Sequence, residues 1–255
     1  MITIKSQSEL DKMEAAGRIV EETLNLMAKT AKAGMRTEEL NQIADEYIRS
    51  RGAVPSFLNY AGYPKSICTS VNEQVVHGIP GSYKLKDGDI LSVDIGAVLN
   101  GFHGDAARTL LIGEVPEEVQ ELVRVTKECF FEGLRQARPG NRISDIGKAV
   151  QAYAESHGYG VVRELVGHGI GRKMHEPPDV PNFWDPRMGR GIRLEPGMCI
   201  AIEPMINMGT ADVIQLSDGW TVVTADGKPS AHYENTIAVT DGEPRLMTLH
   251  EEEAV

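Results

Sequence analysis

The chain has 255 residues, with 26 Lys and Arg against 37 Asp and Glu, a net charge of −11 and 41% hydrophobic residues. This composition excludes disorder of the whole chain, and the length is enough to bury a large core around an enclosed site. The acidic surplus argues against a binder of phosphate backbones, which gains affinity from clustered Lys and Arg, so no direct contact with nucleic acid is expected. Three cysteines, Cys68, Cys129 and Cys199, are widely spaced without a C-x-x-C arrangement, so neither a disulfide framework nor a thiolate zinc site is supported and a reducing compartment fits best. The N-terminal MITIKSQSELDK lacks an apolar run behind a basic start, and no stretch approaches the ~20 apolar residues of a membrane span. The expected location is cytoplasmic, with no membrane partner.

Residues 8–33 predict an amphipathic helix: Ser8 can cap it, Leu10, Met13, Val20, Leu24 and Met27 recur at three- and four-residue steps, and Gly34 ends it. A second helix follows, capped by Thr37, with Glu38 and Glu39 at its positive end, a stripe of Leu40, Ile43, Tyr47 and Ile48, and a stop at Gly52. Between residues 90 and 113 two apolar runs flank Asn100-Gly101, a type I′ turn signal, which predicts a hairpin whose opposed residue numbers sum to 201. Asp94 then faces Ala107, Asp105 faces Gly96, and the two acids lie diagonally on one face. Pro116 opens a third helix carrying Val119, Leu122, Val123, Phe130 and Leu134, and Ser144 caps a fourth with Ile146, Val150 and Tyr153, ended by Gly158. The Pro-, Gly-, Asp- and Arg-rich segment 177–191 reads as a long surface loop.

The chain repeats itself. Gly34, Arg36, Tyr47, Ser50 and Gly52 match identical residues 106 positions later, KDGDILSVD (86–94) overlays EPGMCIAIE (195–203) at an offset of 109, and His103-Gly104-Asp105 echoes His232-Tyr233-Glu234 at 129. Two copies are too few for a solenoid. They predict one α+β domain over 1–255 with pseudo-symmetric halves, 8–113 and 114–245, helices on one face of a curved, mostly antiparallel sheet, and an acidic tail at 250–255.

Glu203 ends the second copy of the carboxylate-tipped strand, and Glu234 lies in the strand AHYENTIAV; both occupy apolar surroundings where a lone carboxylate is costly. Pseudo-symmetry brings them to Asp94 and Asp105, and four converging carboxylates repel unless countercharge is present. Two divalent cations would cancel their formal charge, so the pattern predicts a dinuclear metal site. His168, in the turn Gly167-His168-Gly169-Ile170-Gly171, is a candidate nitrogen ligand because the glycines allow close backbone approach. The same turn lacks a Walker lysine and the Gly-x-Gly-x-x-Gly spacing of a phosphate loop.

The segments SVNEQVVHGIP (70–80), ILSVDIGAVLNGFHGDAARTLLIG (90–113), GHGIGRKMHEPP (167–178), EPGMCIAIEP (195–204) and HYENTIAV (232–239) carry a family resemblance. With them the chain resembles the methionine aminopeptidases of the short bacterial type I kind over nearly its whole length. The resemblance implies the pita-bread fold, with helices packed on the outer face of the sheet. It implies five metal ligands, Asp94, Asp105, His168, Glu203 and Glu234, with Asp105 and Glu234 bridging two divalent ions (Co, Mn, Fe or Zn). His77 and His175 would line the substrate site, His175 polarising the scissile carbonyl and His77 contacting the peptide near the scissile nitrogen. The methionine pocket would fall on Tyr60, Tyr63, Cys68 and Trp220, and a monovalent cation, Na or K, on Asn72 and Ser230. Two departures stand out: Met174 where an aromatic residue often precedes the substrate-site histidine, and Gln74 within the segment that serves the monovalent ion.

The activity so implied is removal of the N-terminal methionine from nascent proteins and peptides, before a small second residue. A metal-bridged water is the nucleophile, and Glu203 takes its proton. Free N-terminal methionine peptides are the expected partners, with transient proximity to the ribosome, and a monomer is the expected state. Proline-directed peptidases of the same fold usually carry a sizeable N-terminal domain, for which a first helix at about residue 8 leaves no room. Five intact ligands argue against a non-catalytic peptide- or ribosome-binding module and against a metal-free, creatinase-like amidinohydrolase. Met1 precedes the bulky Ile2, so it is expected to be retained.

Overall fold

The computed structural model describes residues 2–250. Among the described residues there are four α-helices, α1 (Gln7–Thr30), α2 (Thr37–Ser50), α3 (Glu117–Gln136) and α4 (Ile143–Ser156), in the pairs the periodicity predicts. Pro116 opens α3 as expected, whereas the starts of the other three differ from expectation. Ser6, not Ser8, precedes α1, and the Glu9 carboxylate accepts from the Ser6 N–H at 3.0 Å. Arg36 and Arg142 hold the cap positions expected of Thr37 and Ser144, because Glu39 and Asp145, three residues on, accept from their backbone N–H groups at 2.7 and 2.9 Å. An acid at the third helical position thus satisfies an orphan donor in all three cases. The Thr37 hydroxyl is spent on the loop instead, accepting from the Gly81 N–H at 2.9 Å.

The hairpin forms in the expected register. Strands Ile90–Leu99 and Phe102–Leu111 pair without a bulge, Asp94 opposite Ala107 and Gly96 opposite Asp105. Asn100 and Gly101 at its tip have φ of 52° and 78°, the left-handed pair that a type I′ turn demands. A nine-stranded antiparallel sheet runs in the order Val54–Pro55, Ile90–Leu99, Phe102–Leu111, Glu234–Ala238, Cys199–Ile202, Gly167–Gly169, Glu176–Val180, with Cys68–Val71 beside the second and Arg245–Leu246 beside the fourth. Its middle is the seam where Phe102–Leu111 of the first half meets Glu234–Ala238 of the second.

The period of two divides the sheet's faces. Leu91, Val93, Ile95 and Ala97 pack with Val20, Leu24, Met27, Leu40 and Ile48 of α1 and α2, while Ile200, Ile202, Ile237 and Val239 pack with Leu122, Phe130, Ile146 and Val150 of α3 and α4. Each half therefore has its own helix-on-sheet core, and the alternate residues, Asp94 and Asp105 among them, point to the other face. The repeat extends to individual bonds. Gly34 N–H donates to Leu85 O and Gly140 N–H to Leu194 O; the Ser50 hydroxyl donates to Tyr47 O and the Ser156 hydroxyl to Tyr153 O, both at 2.7 Å.

Segment 177–191 is not wholly a loop. Residues Glu176–Val180 form the edge strand beside Gly167–Gly169, a place where prolines are tolerated because one side of the strand has no ladder to complete. Glycine is needed opposite them: a Cβ on Gly169 would lie 2.3 Å from Pro177 O. His250, assigned to the acidic tail, is fixed by its N–H donating to Glu21 at 2.7 Å. The remainder of that tail and Met1 lie outside the described residues. Among those residues no helix is long and apolar enough to cross a membrane.

Candidate metal centre and substrate cavity

Asp94, Ala107 and Glu234 are directly opposed across three neighbouring strands, with Cys68 beyond Asp94 on a fourth. The methyl of Ala107 is the only side chain between the two acids in this row, which leaves room for their carboxylates to lean together. Asp105 is two residues along the same face. Glu203 follows the strand Cys199–Ile202, whose Ile202 pairs with Asn235, and His168 comes from the next strand, where Gly169 pairs with Ile200. Two threonines lock the seam. Thr236 Oγ1 accepts from the Asp105 N–H at 3.1 Å and donates to Asp105 O at 2.9 Å. Thr109 Oγ1 does the same for His232, accepting from its N–H and donating to its carbonyl, both at 2.9 Å. Arg108, on the helix side, donates to Ala107 O and Glu234 O at 2.8 and 2.6 Å.

The five predicted ligands meet at the floor of one cavity of about 280 Å³. His168 Nε2 is 3.7 Å from Asp105 Oδ2 and 3.6 Å from Glu203 Oε1, and Asp105, His168 and Glu234 each offer an atom within 4.8 Å of the others. Burial pushes all four carboxyls above the usual carboxylate range, Asp94 to about 7, and their mutual repulsion adds to the rise in Asp105, Glu203 and Glu234. Burial pushes His168 down to about 3, so its imidazole is neutral and free to donate a lone pair. The His168 Nδ1 contacts Gly169 O at 2.8 Å, which fixes the proton there and leaves Nε2 facing the acids.

Asp94 Oδ1, Asp105 Oδ1 and Glu234 Oε1 are buried without a hydrogen-bond partner among the described residues. Orphaned acceptors on converging acids are costly unless cations complete them. Oxygen donors with imidazole suit first-row divalent ions such as Mn²⁺, Fe²⁺, Co²⁺ or Zn²⁺, so the residues fit a dinuclear centre.

The walls of the cavity hold the residues predicted for the substrate site. His175 Nδ1 is 2.7 Å from the Tyr60 hydroxyl, and the His168 and His175 rings lie 4.1 Å apart. Trp220 meets Tyr63 edge-on at 5.1 Å and His77 at 6.4 Å. Tyr63 and Cys68 are buried, and burial raises the proton affinity of both. Burial lowers His77 and His175. Met174 lies at the wall in contact with Phe57, Tyr63 and Cys68. Asn72 and Ser230 are brought together elsewhere, the Ser230 N–H donating to Asn72 O at 2.9 Å. The Asn72 amide bonds Asp89 and the Ile90 N–H, and the Ser230 hydroxyl donates to Ile206 O.

Phe57, Val76, Leu165, Val166 and Met205 complete the lining and were not anticipated, coming from loops and short strands without a periodic signal. His232 was anticipated only as part of a sequence echo. Its buried Nε2 lies 4.0 Å from Glu203 Oε2 and 3.8 Å from Glu234 Oε2, and burial pushes its imidazole down to about 3.

The model of metallopeptidase family M24 matches residues 11–241. A methionine aminopeptidase of Clostridium perfringens is 55% identical over 249 residues, covering 98% of this chain and 99% of that protein. The crystal structure of a methionine aminopeptidase from Rickettsia prowazekii superposes with a TM-score of 0.95 at 43% identity, covering 98% of this chain and all of that one. A prolidase from Pyrococcus furiosus shares the fold at a TM-score of 0.76 and 21% identity, over 98% of this chain and 66% of that one. With helix pairs and seam strands in the pita-bread arrangement and the acids gathered at its centre, the chain belongs to metallopeptidase family M24.

Proposed function

We propose that the chain is a metal-dependent aminopeptidase that releases the N-terminal methionine of nascent proteins and peptides, favouring a small second residue, in the cytoplasm. The observation that carries this reading is the meeting of four carboxylates and an imidazole with a largely apolar pocket in one cavity. Asp94, Asp105, His168, Glu203 and Glu234 would hold two divalent ions, with Asp105 and Glu234 shared between them. When bound, the ions supply the Lewis acidity that makes a water nucleophilic near neutral pH and polarises the scissile carbonyl.

The protein's own groups do the rest. Glu203 accepts the proton of the attacking water and returns it to the leaving amine. With the Tyr60 hydroxyl donating to His175 Nδ1, the imidazole proton sits on Nε2, where it stabilises the carbonyl oxygen as negative charge develops. His77, beside Trp220, is placed to contact the peptide near the scissile nitrogen. Tyr60, Tyr63, Cys68, Trp220 and Met174 offer a flexible thioether apolar and polarisable contacts. Asn72 and Ser230, joined by a backbone hydrogen bond away from the cavity lining, would support a Na⁺ or K⁺ ion.

The test is metal content measured alongside hydrolysis of Met-Ala-Ser and of X-Pro peptides. Two ions per chain with methionine release is the expected result. Cleavage of X-Pro bonds without methionine release would replace the reading with a proline-directed peptidase.

A further inference from the structure

The two threonine clamps are related by one offset: Thr109 holds the backbone of His232 as Thr236 holds that of Asp105, each pair 127 residues from its counterpart. The sequence echo at 129 aligned Asp105 with Glu234, whereas the clamps place Asp105 and His232 in equivalent positions on either side of the Ala107–Glu234 pair. Asp105 belongs to the nine-stranded sheet and His232 ends the strand Ser230–His232 of a neighbouring three-stranded sheet, yet each offers an atom within 4.8 Å of a Glu234 oxygen. Asp105 is a metal ligand in the aminopeptidase reading, on which this inference rests.

The geometry at His232 is that of a donor. Its side chain is 1% exposed, and Nε2 has no hydrogen-bond partner among the described residues. The Glu203 carboxylate lies between two imidazoles, Oε1 facing His168 Nε2 at 3.6 Å and Oε2 facing His232 Nε2 at 4.0 Å. Glu203, His232 and Glu234 offer a second set of three ligand atoms, all within 4.8 Å of one another, beside the set formed by Asp105, His168 and Glu234. Donors bound at about 2.0–2.2 Å from one ion are roughly 3.0–3.5 Å apart, so a small inward movement closes each set on a cation. Hydrogen bonding is the competing use of Nε2, but at 3.8 and 4.0 Å it reaches neither carboxylate.

We propose that His232 is a sixth protein ligand of the metal centre, adding an imidazole nitrogen on the side of Glu203 and Glu234. The centre then carries two histidines in place of a single one for the pair of ions.

The experiment is X-ray absorption at the cobalt edge of the whole protein loaded with two equivalents of Co²⁺, in wild type, His232→Gln, His168→Gln and the double variant, with cobalt content and circular dichroism recorded for each. Two imidazoles per two cobalt ions are expected in wild type, half of that imidazole scattering in either single variant, and none in the double variant. One imidazole per two ions in wild type overturns the proposal without any variant having to fold. So does His168→Gln cobalt protein that shows no imidazole. If wild type binds two ions and releases methionine but shows one imidazole, the aminopeptidase reading stands and the His232 assignment falls. If it binds no cobalt and releases no methionine, both fall.

Discussion

In the proposed reaction Glu203 would combine two duties, a metal-facing carboxylate and the acceptor of the water's proton, and the second is the easier to isolate. Glu203→Gln keeps size and hydrogen-bonding capacity but cannot take a proton. It should leave the circular dichroism spectrum unchanged and lower kcat by about 10²–10⁴-fold. Turnover within a few-fold of wild type would remove Glu203 from that role. Tyr60 is a milder case. Removing its hydroxyl with Tyr60→Phe deletes the 2.7 Å bond to His175 and should cost about 1 kcal/mol of transition-state stabilisation, roughly fivefold in kcat/KM. A change confined to KM would assign Tyr60 to the pocket alone. At this scale the gathering of Asp94, Asp105, Glu203 and Glu234 in one cavity was legible, because a carboxylate in an apolar strand is costly unless a cation or a donor stands beside it. His232 was not, because its approach to Glu203 depends on a hydroxyl from Thr109, 123 residues away in sequence.

Between elements, small residues set the distances. Ala107 separates Asp94 from Glu234 in the sheet row, and Ala107→Leu would fill the space the carboxylates converge through, at a packing cost of about 1–3 kcal/mol. The expected result is a folded protein that holds fewer than two divalent ions by metal analysis; two ions at wild-type affinity would show the gap is not needed. Gly17 does the corresponding job behind the sheet. A Cβ there would lie 1.9 Å from Met247 O, and Gly104 of the hairpin would itself meet the Gly17 backbone at 2.9 Å. Gly17→Ala improves intrinsic helix propensity yet should lower Tm by several degrees, since neither neighbour is a flexible side chain. A raised Tm would mean that the backbone yields. The hairpin register could be read from the sequence because Asn100-Gly101 leaves little choice of turn. The helix starts could not, since Glu9, Glu39 and Asp145 compete successfully with the nearby Ser and Thr hydroxyls. The strand Glu176–Val180 was hidden for a related reason: its prolines argue against a central strand but not against an edge.

For the whole molecule, the buried centre links folding to metal and to pH. His168 and His232 are held neutral, so the unfolded chain takes up protons that the folded chain does not below about pH 6.5, and stability gains as pH rises to that point. The four raised carboxyls act in the opposite sense: the folded protein retains protons that the unfolded chain has lost, so stability falls as pH rises toward their folded values, Asp94's at about 7 among them. Above about pH 6.5 only the carboxylate contribution is left. Chelated protein should therefore lose Tm between about pH 6.5 and 8, and saturating Mn²⁺ or Co²⁺ should abolish the decline. A Tm of chelated protein that rises across this range, followed by differential scanning calorimetry, would show that the acids are not protonated when metal is removed. The two-fold plan of the molecule was visible in the repeated glycines, and the bonds at Gly34 and Gly140 bear it out. What the repeat could not supply was the relation of one half to the other, because the seam is set by side chains, Thr109, Thr236 and Arg108, that have no periodic signature.

Burial of the three cysteines gives the protein an internal set of reporters. Cys129 and Cys199 are shut inside the fold with their thiols pushed up to about 12, so an alkylating reagent at neutral pH meets almost no thiolate until the chain opens. The Cys68 thiol is also pushed up by burial, but it lies on the wall of the cavity, where at raised pH a small reagent has a route to it and a bound peptide would block that route. Labelling followed by mass spectrometry would then read two events in one sample: modification of Cys68 tracks occupancy of the pocket, and modification of the other two tracks opening of the helix-packed cores behind it.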